Sequence, residues 1–452
     1  MRGALAPYGG VRIAFVLFGG MVALQSSPTL DATKIAYAAG AGVCLAGALL
    51  VVWRGRRTPE VRLGAQWLAV SAALAALIAL SFFVARADGT PILDWVRDVA
   101  PYALFAAVPV LALDAQASTS RKLLIAMLVV AGLLGGVSWA VEWLGRREIV
   151  ELPIARVVFP SSYLPAMLYL FAVATALTVG RRSAAWGVLA GVILGLFLLT
   201  GTRSSLLLPI GALAMAIVAG RARWRSSLRT VVLHGIVAVA VVLASQLAIA
   251  PPDVPGLGGP VEVPESSGPA ATSVPVVVGD RFGSLPATLG NPTSDASFKE
   301  RVAQYGAAWR LFLSSPVVGV GPGHSIDWID VSGYPRSGFT ADTPLVMPAK
   351  FGLLGIVVFL GVAVAYGATV RTAWQRDPRS RTTLALVGFG LLVIVGMPLG
   401  FLVEDKGASL ALMLLLALVF SERAAPPSMD SGPVEETIAS VTDQSGSAST
   451  IR

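Results

Sequence analysis

Two arginines stand at the edges of apolar segments, and the loop after the second holds the nearest groups able to take up a proton. Arg203 lies in TGTRSS, residues 200–205, a very short turn between two long apolar runs. An arginine at such a boundary ordinarily snorkels to the interface. Its neighbours here are a glycine and the hydroxyls of Thr202 and Ser204, and the turn opens a helix amino terminus, which suits an anionic phosphate. The residues leave both readings open. Arg301 lies in SFKERVAQYGAAWRLFLSS, whose helical spacing predicts one buried face of Phe298, Val302, Tyr305, Trp309, Phe312 and Leu313. At about 100° per residue from Arg301, Phe312, Tyr305, Phe298, Trp309 and Val302 fall at roughly 20°, 40°, 60°, 80° and 100°, and Lys299 and Arg310 at roughly 160° and 180°. Arg301 should therefore border the buried face while Lys299 and Arg310 look away. An arginine so placed needs an anionic partner, either a nearby acid in a structural ion pair or a ligand.

The next loop reads SSPVVGVGPGHSIDW and then YPRSGFTADTPLVMPAKFGLLGIVVFLG. Pro316, Gly319, Gly321 and Gly323 predict a tight, irregular backbone that does not match a phosphate-loop spacing. His324, Asp327, Asp330 and Asp342 are the nearby groups able to accept a proton. With one cysteine, Cys44, and two histidines in the chain, no zinc pattern and no intramolecular disulfide can be assembled. Cys44 reads as a packing residue inside an apolar run.

The elements that must hold these groups are membrane helices. Of 452 residues 55% are hydrophobic and 13% charged, with mean hydropathy +0.74, against about 45–50% and ~25% in soluble domains. That excludes an ordinary soluble enzyme and a single-pass receptor. The expected fold is all-α and polytopic, with about 12 spans at roughly 20 residues each. They run near Ile13 to Thr29, Ile35 to Trp53, Ala65 to Ala85, Val99 to Leu113, Leu123 to Val141 and Tyr163 to Val179. The others run near Ala184 to Thr200, Ser204 to Ala219, Val231 to Ala250, Phe351 to Val370, Leu384 to Val403 and Ser409 to Phe420. The first reads as an uncleaved span rather than a signal peptide, since no small-x-small cleavage site follows it.

Orientation follows from the cations. With both termini cytoplasmic, the clusters Arg54 to Arg62, Arg121 and Lys122, Arg181 and Arg182, Arg221 to Arg229, and Arg371 to Arg381 all fall inside. The net charge of +8 then belongs to these loops and predicts no nucleic-acid partner. Residues 1–423 are expected to form the membrane domain. Residues 251–343 form an external loop between spans 9 and 10, Pro- and Gly-rich to about Ser297, with an amphipathic helix at about 298–314. Residues 424–452 read as a disordered cytoplasmic tail. No Asp, Glu, Lys or Arg is expected inside the spans away from their ends, which argues against an ion-coupled transporter. His234, close after Arg229, reads as a packing or interfacial residue.

Three segments together resemble the O-antigen ligase and Wzy-type polysaccharide polymerase superfamily. They are TGTRSSLLLPIGAL at 200–213, RVAQYGAAWRLFLSSPVVGVGPG at 301–323 and KFGLLGIVVFLG at 350–361. The resemblance covers about residues 160–420. It implies a cytoplasmic-membrane glycosyltransferase that takes a glycan from an undecaprenyl diphosphate carrier on the outer face and transfers it to an acceptor hydroxyl. The family's motif arginines, which hold the diphosphate, fall on Arg203 and Arg301, with Thr202, Ser204, Gly321 and Gly323 as supporting loop residues. In the ligases a His-Asn pair lies about ten residues before the last motif; Ala341 and Asp342 stand there in this chain. That departure favours a polymerase, with a ligase as the alternative and a lipid-linked glycan flippase as the rival of another class.

Two arginines can neutralise a leaving diphosphate by forked, charge-assisted hydrogen bonds, so the expected enzyme needs no metal and no cofactor. Asp342 is the first candidate for the base and His324 the second. The expected partners are the lipid-linked donor, a glycan or glycolipid acceptor, and membrane lipid. Trp328, Tyr334 and Trp95 are read as interfacial aromatics that could also stack on sugars. Arg146, Arg147, Arg156 and Arg336 are read as solvent-facing or as contacts to an anionic glycan.

Overall fold

The computed structural model describes residues 8–25, 32–56, 64–145, 162–178, 183–199, 207–219, 229, 232–242, 290–291, 296–397 and 405–424. The helices are α1 Gly9–Gln25, α2 Ala32–Gly55, α3 Ala65–Ala87, α4 Ile92–Ser118, α5 Arg121–Gly145, α6 Tyr163–Thr178 and α7 Ser183–Leu199. They continue as α8 Leu207–Ala219, α9 Val232–Val242, α10 Ala296–Ser314, α11 Val346–Arg376, α12 Arg381–Gly396 and α13 Lys406–Ala424. A described helix overlaps at least part of each of the twelve apolar runs read from the sequence. Four of them, α2, α3, α4 and α11, are long and apolar enough to cross a membrane, and seven more are shorter apolar helices. The architecture is that of a helical membrane protein.

A helix that is apolar on every side must be central, and α6 and α13 are. Every side chain from Leu164 to Leu177, and from Ala408 to Phe420, is buried. Around them the outer helices expose large apolar residues such as Val43, Phe83, Ile217, Val357 and Val364. This reverses the pattern of a protein surrounded by water and suits one surrounded by lipid. Small residues allow the closest approaches. A Cβ on Gly191 of α7 would stand 2.7 Å from the His234 carbonyl of α9, and one on Gly195 would stand 3.0 Å from the Ala238 carbonyl.

Two helices extend past their apolar runs, and the charges that end those runs are buried in the bundle. This corrects the expectation of spans free of ionisable groups. Asp114 of α4 is fully buried and accepts a forked pair of bonds from Arg12 of α1, at 2.9 Å from Nε and 2.5 Å from the terminal guanidinium nitrogen. Asp98 of α4 is paired with Lys350 of α11. A buried charge that has its opposite and its hydrogen bonds is tolerated, and here the partner comes from another helix each time.

Such contacts sort the helix ends into two groups. At one end Arg12 meets Asp114, the Trp67 indole donates to Thr369 at 2.9 Å, and Glu422 accepts from Arg121 and from Thr382. At the other, Asp98 meets Lys350 and the Ser162 backbone N–H donates to Asp405 at 3.2 Å. The second end also holds a two-stranded antiparallel hairpin, β1 Ile326–Ile329 and β2 Pro335–Gly338, with Ile326 opposite Gly338. The expectation there was an irregular loop in an all-α chain, with no strand. Four-residue strands, one starting with proline, carry too little alternation to be read from sequence.

Candidate functional site

The hairpin end is organised by a break in α11. Gly352 has φ +63° and ψ −157°, outside helical geometry, so the helix is two pieces in series. A break frees carbonyls on one side and amides on the other, and a buried break must satisfy both. The loop from Ser315 to Gly323 does so. Val320 N and Gly321 N donate to the Ala349 and Lys350 carbonyls at 3.0 Å each, and Leu353 N and Leu354 N donate to the Pro316 and Val317 carbonyls at 2.8 and 3.3 Å. Gly319, Gly321 and Gly323 all have positive φ, at +71°, +83° and +88°. The loop also lies backbone to backbone on its neighbours: a Cβ on Gly321 would sit 3.1 Å from the Ala85 nitrogen, and one on Gly323 would sit 2.7 Å from the Trp95 nitrogen. The glycines thus serve close packing, and the amides of Gly319, Gly321 and Gly323 are already engaged.

Asp98 and Lys350 lock this arrangement. Lys350 is 0% and Asp98 2% exposed at the side chain; Nζ lies 2.5 Å from Oδ1, while Oδ2 accepts the Gly323 N–H at 2.6 Å. One carboxylate therefore ties α4 to the break in α11 and to the residue before His324. Neither residue stands out in the sequence, because each ends an apolar run and reads as a boundary. The available signal is that the two opposite charges begin spans expected to enter from the same side.

Helix α10 packs on β1 and α11, but by a different face from the one its apolar residues predict. Gln304, Ala307, Ala308 and Phe312 are buried, whereas Phe298, Val302, Trp309 and Leu313 are exposed. The contacts that orient it are polar. Glu300 accepts from the Trp328 indole at 2.5 Å and from Val331 N at 3.3 Å, and Gln304 accepts from Asp342 N at 2.6 Å. Arg301, between them, is partly buried, and its Nε is buried with no hydrogen-bond partner among the described residues. No acid among those residues pairs with it. Lys299 and Arg310 are exposed, as expected.

The proton acceptors separate. His324 and Asp342 are both exposed and both lie at the open end of the hairpin, one before β1 and one after β2. Asp330 is at the closed end, occupied with structure. Its Oδ1 accepts from Ser332 N and Tyr334 N at 2.9 Å each and its Oδ2 from Arg336 at 2.9 Å. The Tyr334 N–H first, then Arg336 and the Ser332 N–H, hold its carboxyl below the ordinary range. A depressed acid stabilises the folded hairpin above its unfolded pKa and stops doing so as pH falls through the folded one. Amide protection of Ser332 and Tyr334 in hydrogen exchange, corrected for intrinsic rates, is thus expected to decline below about pH 4. Protection that is level down to strong acid would refute that role.

The aromatics are similarly committed. Trp328 donates to Glu300 and Trp95 lies 3.4 Å from the Ser81 hydroxyl, while Tyr334 is exposed. Arg203, Thr202 and Ser204 lie outside the described residues, as do Arg146, Arg147 and Arg156; α7 ends at Leu199 and α8 begins at Leu207. Among the described residues no three His, Cys, Asp or Glu side chains come together as a metal-binding group. No family model matches the chain and no curated protein matches it.

Proposed function

We propose that the protein is a cytoplasmic-membrane glycosyltransferase of twelve spans, with both termini inside and its site open to the outer face. Its donor is a glycan on a polyprenyl diphosphate and its acceptor a glycan hydroxyl. The observation that carries the reading is Arg301, whose Nε is buried and unpartnered among the described residues. A buried guanidine N–H left without an acceptor is costly, and a diphosphate group would supply the forked acceptor that this side chain lacks among the described residues. Arg203, in the sequence between α7 and α8, is the second cation of the proposed clamp.

In the reaction the acceptor oxygen bonds to the anomeric carbon as the bond from that carbon to the diphosphate oxygen breaks. The polyprenyl diphosphate leaves with the bonding pair, its growing charge met by the arginines. The hydroxyl proton passes to Asp342, or failing that to His324. Asp342 has the better claim because its backbone is held by Gln304, one turn along α10 from Arg301. Asp342→Asn is therefore expected to slow transfer by about 10²–10⁴-fold, the range for a lost general base, and His324→Ala to slow it less. The reverse order in initial rates would exchange the assignments.

Polymerase is the first reading and ligase the second, since Ala341 and Asp342 stand where the ligases have His-Asn. A lipid-linked glycan flippase draws support from one feature, the broken helix α11 with a buried ion pair beside it, an arrangement that transporters use for substrate sites. Against it, the loop from Ser315 to Gly321 already closes four of the groups the break frees. The deciding experiment gives purified protein in nanodiscs a polyprenyl-diphosphate oligosaccharide and follows carrier release and glycan length together. A lengthening ladder indicates a polymerase, and single addition to another acceptor a ligase. Bound donor with no release would overturn the transferase. With an arginine clamp the rate is expected to be unchanged in chelator; loss restored by a divalent cation would refute a metal-free site.

A further inference from the structure

Helix α10 turns outward the side that would have packed best. Phe298, Val302, Trp309 and Leu313 are 41%, 54%, 47% and 57% exposed. At about 100° per residue they fall in a band of roughly 60°, on the far side of Arg301 from Gln304 and Ala307. Beyond that band come Lys299 and Arg310, both exposed. The order around the helix is thus protein-facing residues, Arg301, an apolar stripe, then two cations.

Exposed apolar side chains continue past the stripe along the chain. Val317, just past the end of α10, is exposed, and its carbonyl accepts from Leu354 N. Leu353, Leu354 and Val357 are exposed on the first turns after the break in α11, one of the four helices able to cross a membrane. Lys and Arg beside an apolar stripe complement lipid phosphates while their stems cover apolar surface. Four large apolar side chains left in water would be an association hazard.

We propose that α10 is an interfacial helix, lying in the outer boundary of the bilayer with Phe298, Val302, Trp309 and Leu313 in the upper acyl layer and Lys299 and Arg310 among the phosphates. The arrangement sets Arg301, at the edge of the stripe, at the depth of a lipid-linked phosphate. It does not depend on any transfer reaction, and its test does not read one.

Nitroxide labels on the full chain in nanodiscs carry the test. In a Cys44→Ser background, Val302→Cys and Leu313→Cys probe the stripe, and Arg310→Cys and Ser332→Cys supply polar references on exposed positions. Power saturation is expected to show the labels at 302 and 313 open to oxygen and several-fold less accessible to an aqueous nickel chelate than the label at 332, with 310 between them. Chelate access at 302 and 313 equal to that at 332 would overturn the proposal. So would shielding of both labels from oxygen and chelate alike, because a protein segment or a second copy of the chain would then cover the stripe.

Discussion

Arg301→Ala is expected to lower glycan transfer by about 10²–10³-fold, the usual result of removing one preorganised group that meets transition-state charge. The fold should survive it. Arg301 has no acid partner among the described residues and its Nε makes no hydrogen bond there, so the substitution breaks no described ion pair and relieves a desolvated donor. Relief of that kind is worth up to about 1–3 kcal/mol, and the variant should melt no lower than the parent. A structural ion pair predicts the opposite combination, a lower melting temperature with turnover little changed. Arg301→Lys keeps the charge but not the fork, and its rate should fall between parent and alanine. Initial rates with lipid-diphosphate donor, beside a melting curve, separate the two roles; undiminished turnover by the alanine variant would end the clamp assignment.

Much of the fold is legible because the bundle's periodicity is so simple. Each of the twelve apolar runs overlaps a described helix, and among the described residues the helices outrun their apolar runs where a charge interrupts the run. Val99 to Leu113 reads as a short span since Asp98 and Asp114 flank it, yet α4 continues past both. The same holds at Lys350. A sequence window treats a charge as an end because water usually waits there, whereas here Lys350 pairs with Asp98, and Arg12 with Asp114, in place of solvent.

The site was legible in part, for a related reason. The phase of Arg301, Lys299 and Arg310 follows from spacing alone, but the rule that an apolar face packs inward assumes water outside. On α10 the packed face is instead chosen by Glu300 and Gln304, whose bonds to Trp328, Val331 and Asp342 come from residues some 30–40 positions along the chain. No local pattern encodes these. The glycines were readable as an irregular turn; that the turn fills a break in α11 requires the positive φ of Gly352, which looks in sequence like any other glycine of a membrane helix.

The Asp98 and Lys350 pair gives the second large effect. Lys350→Met is expected to destabilise the protein by about 3–5 kcal/mol, the cost of stranding one member of a buried pair. The Asp98 carboxyl would be left at 2% exposure with the Gly323 N–H as its one remaining hydrogen bond among the described residues. The double variant Asp98→Asn with Lys350→Met removes both charges and leaves an amide oxygen to accept that N–H, so most of the loss should be recovered. Denaturation of the parent, single and double variants in detergent measures this, with hydrogen exchange across residues 316–323 reporting whether the loop loosens in the single variant alone. Equal stability of all three would mean that the pair holds nothing together. The double variant also weighs the flippase against the transferase. A lock on the glycine loop can be replaced by a neutral one and transfer should return with stability, whereas a proton-coupled path through Asp98 and Lys350 would stay dead in a well-folded protein with no titratable group left in it.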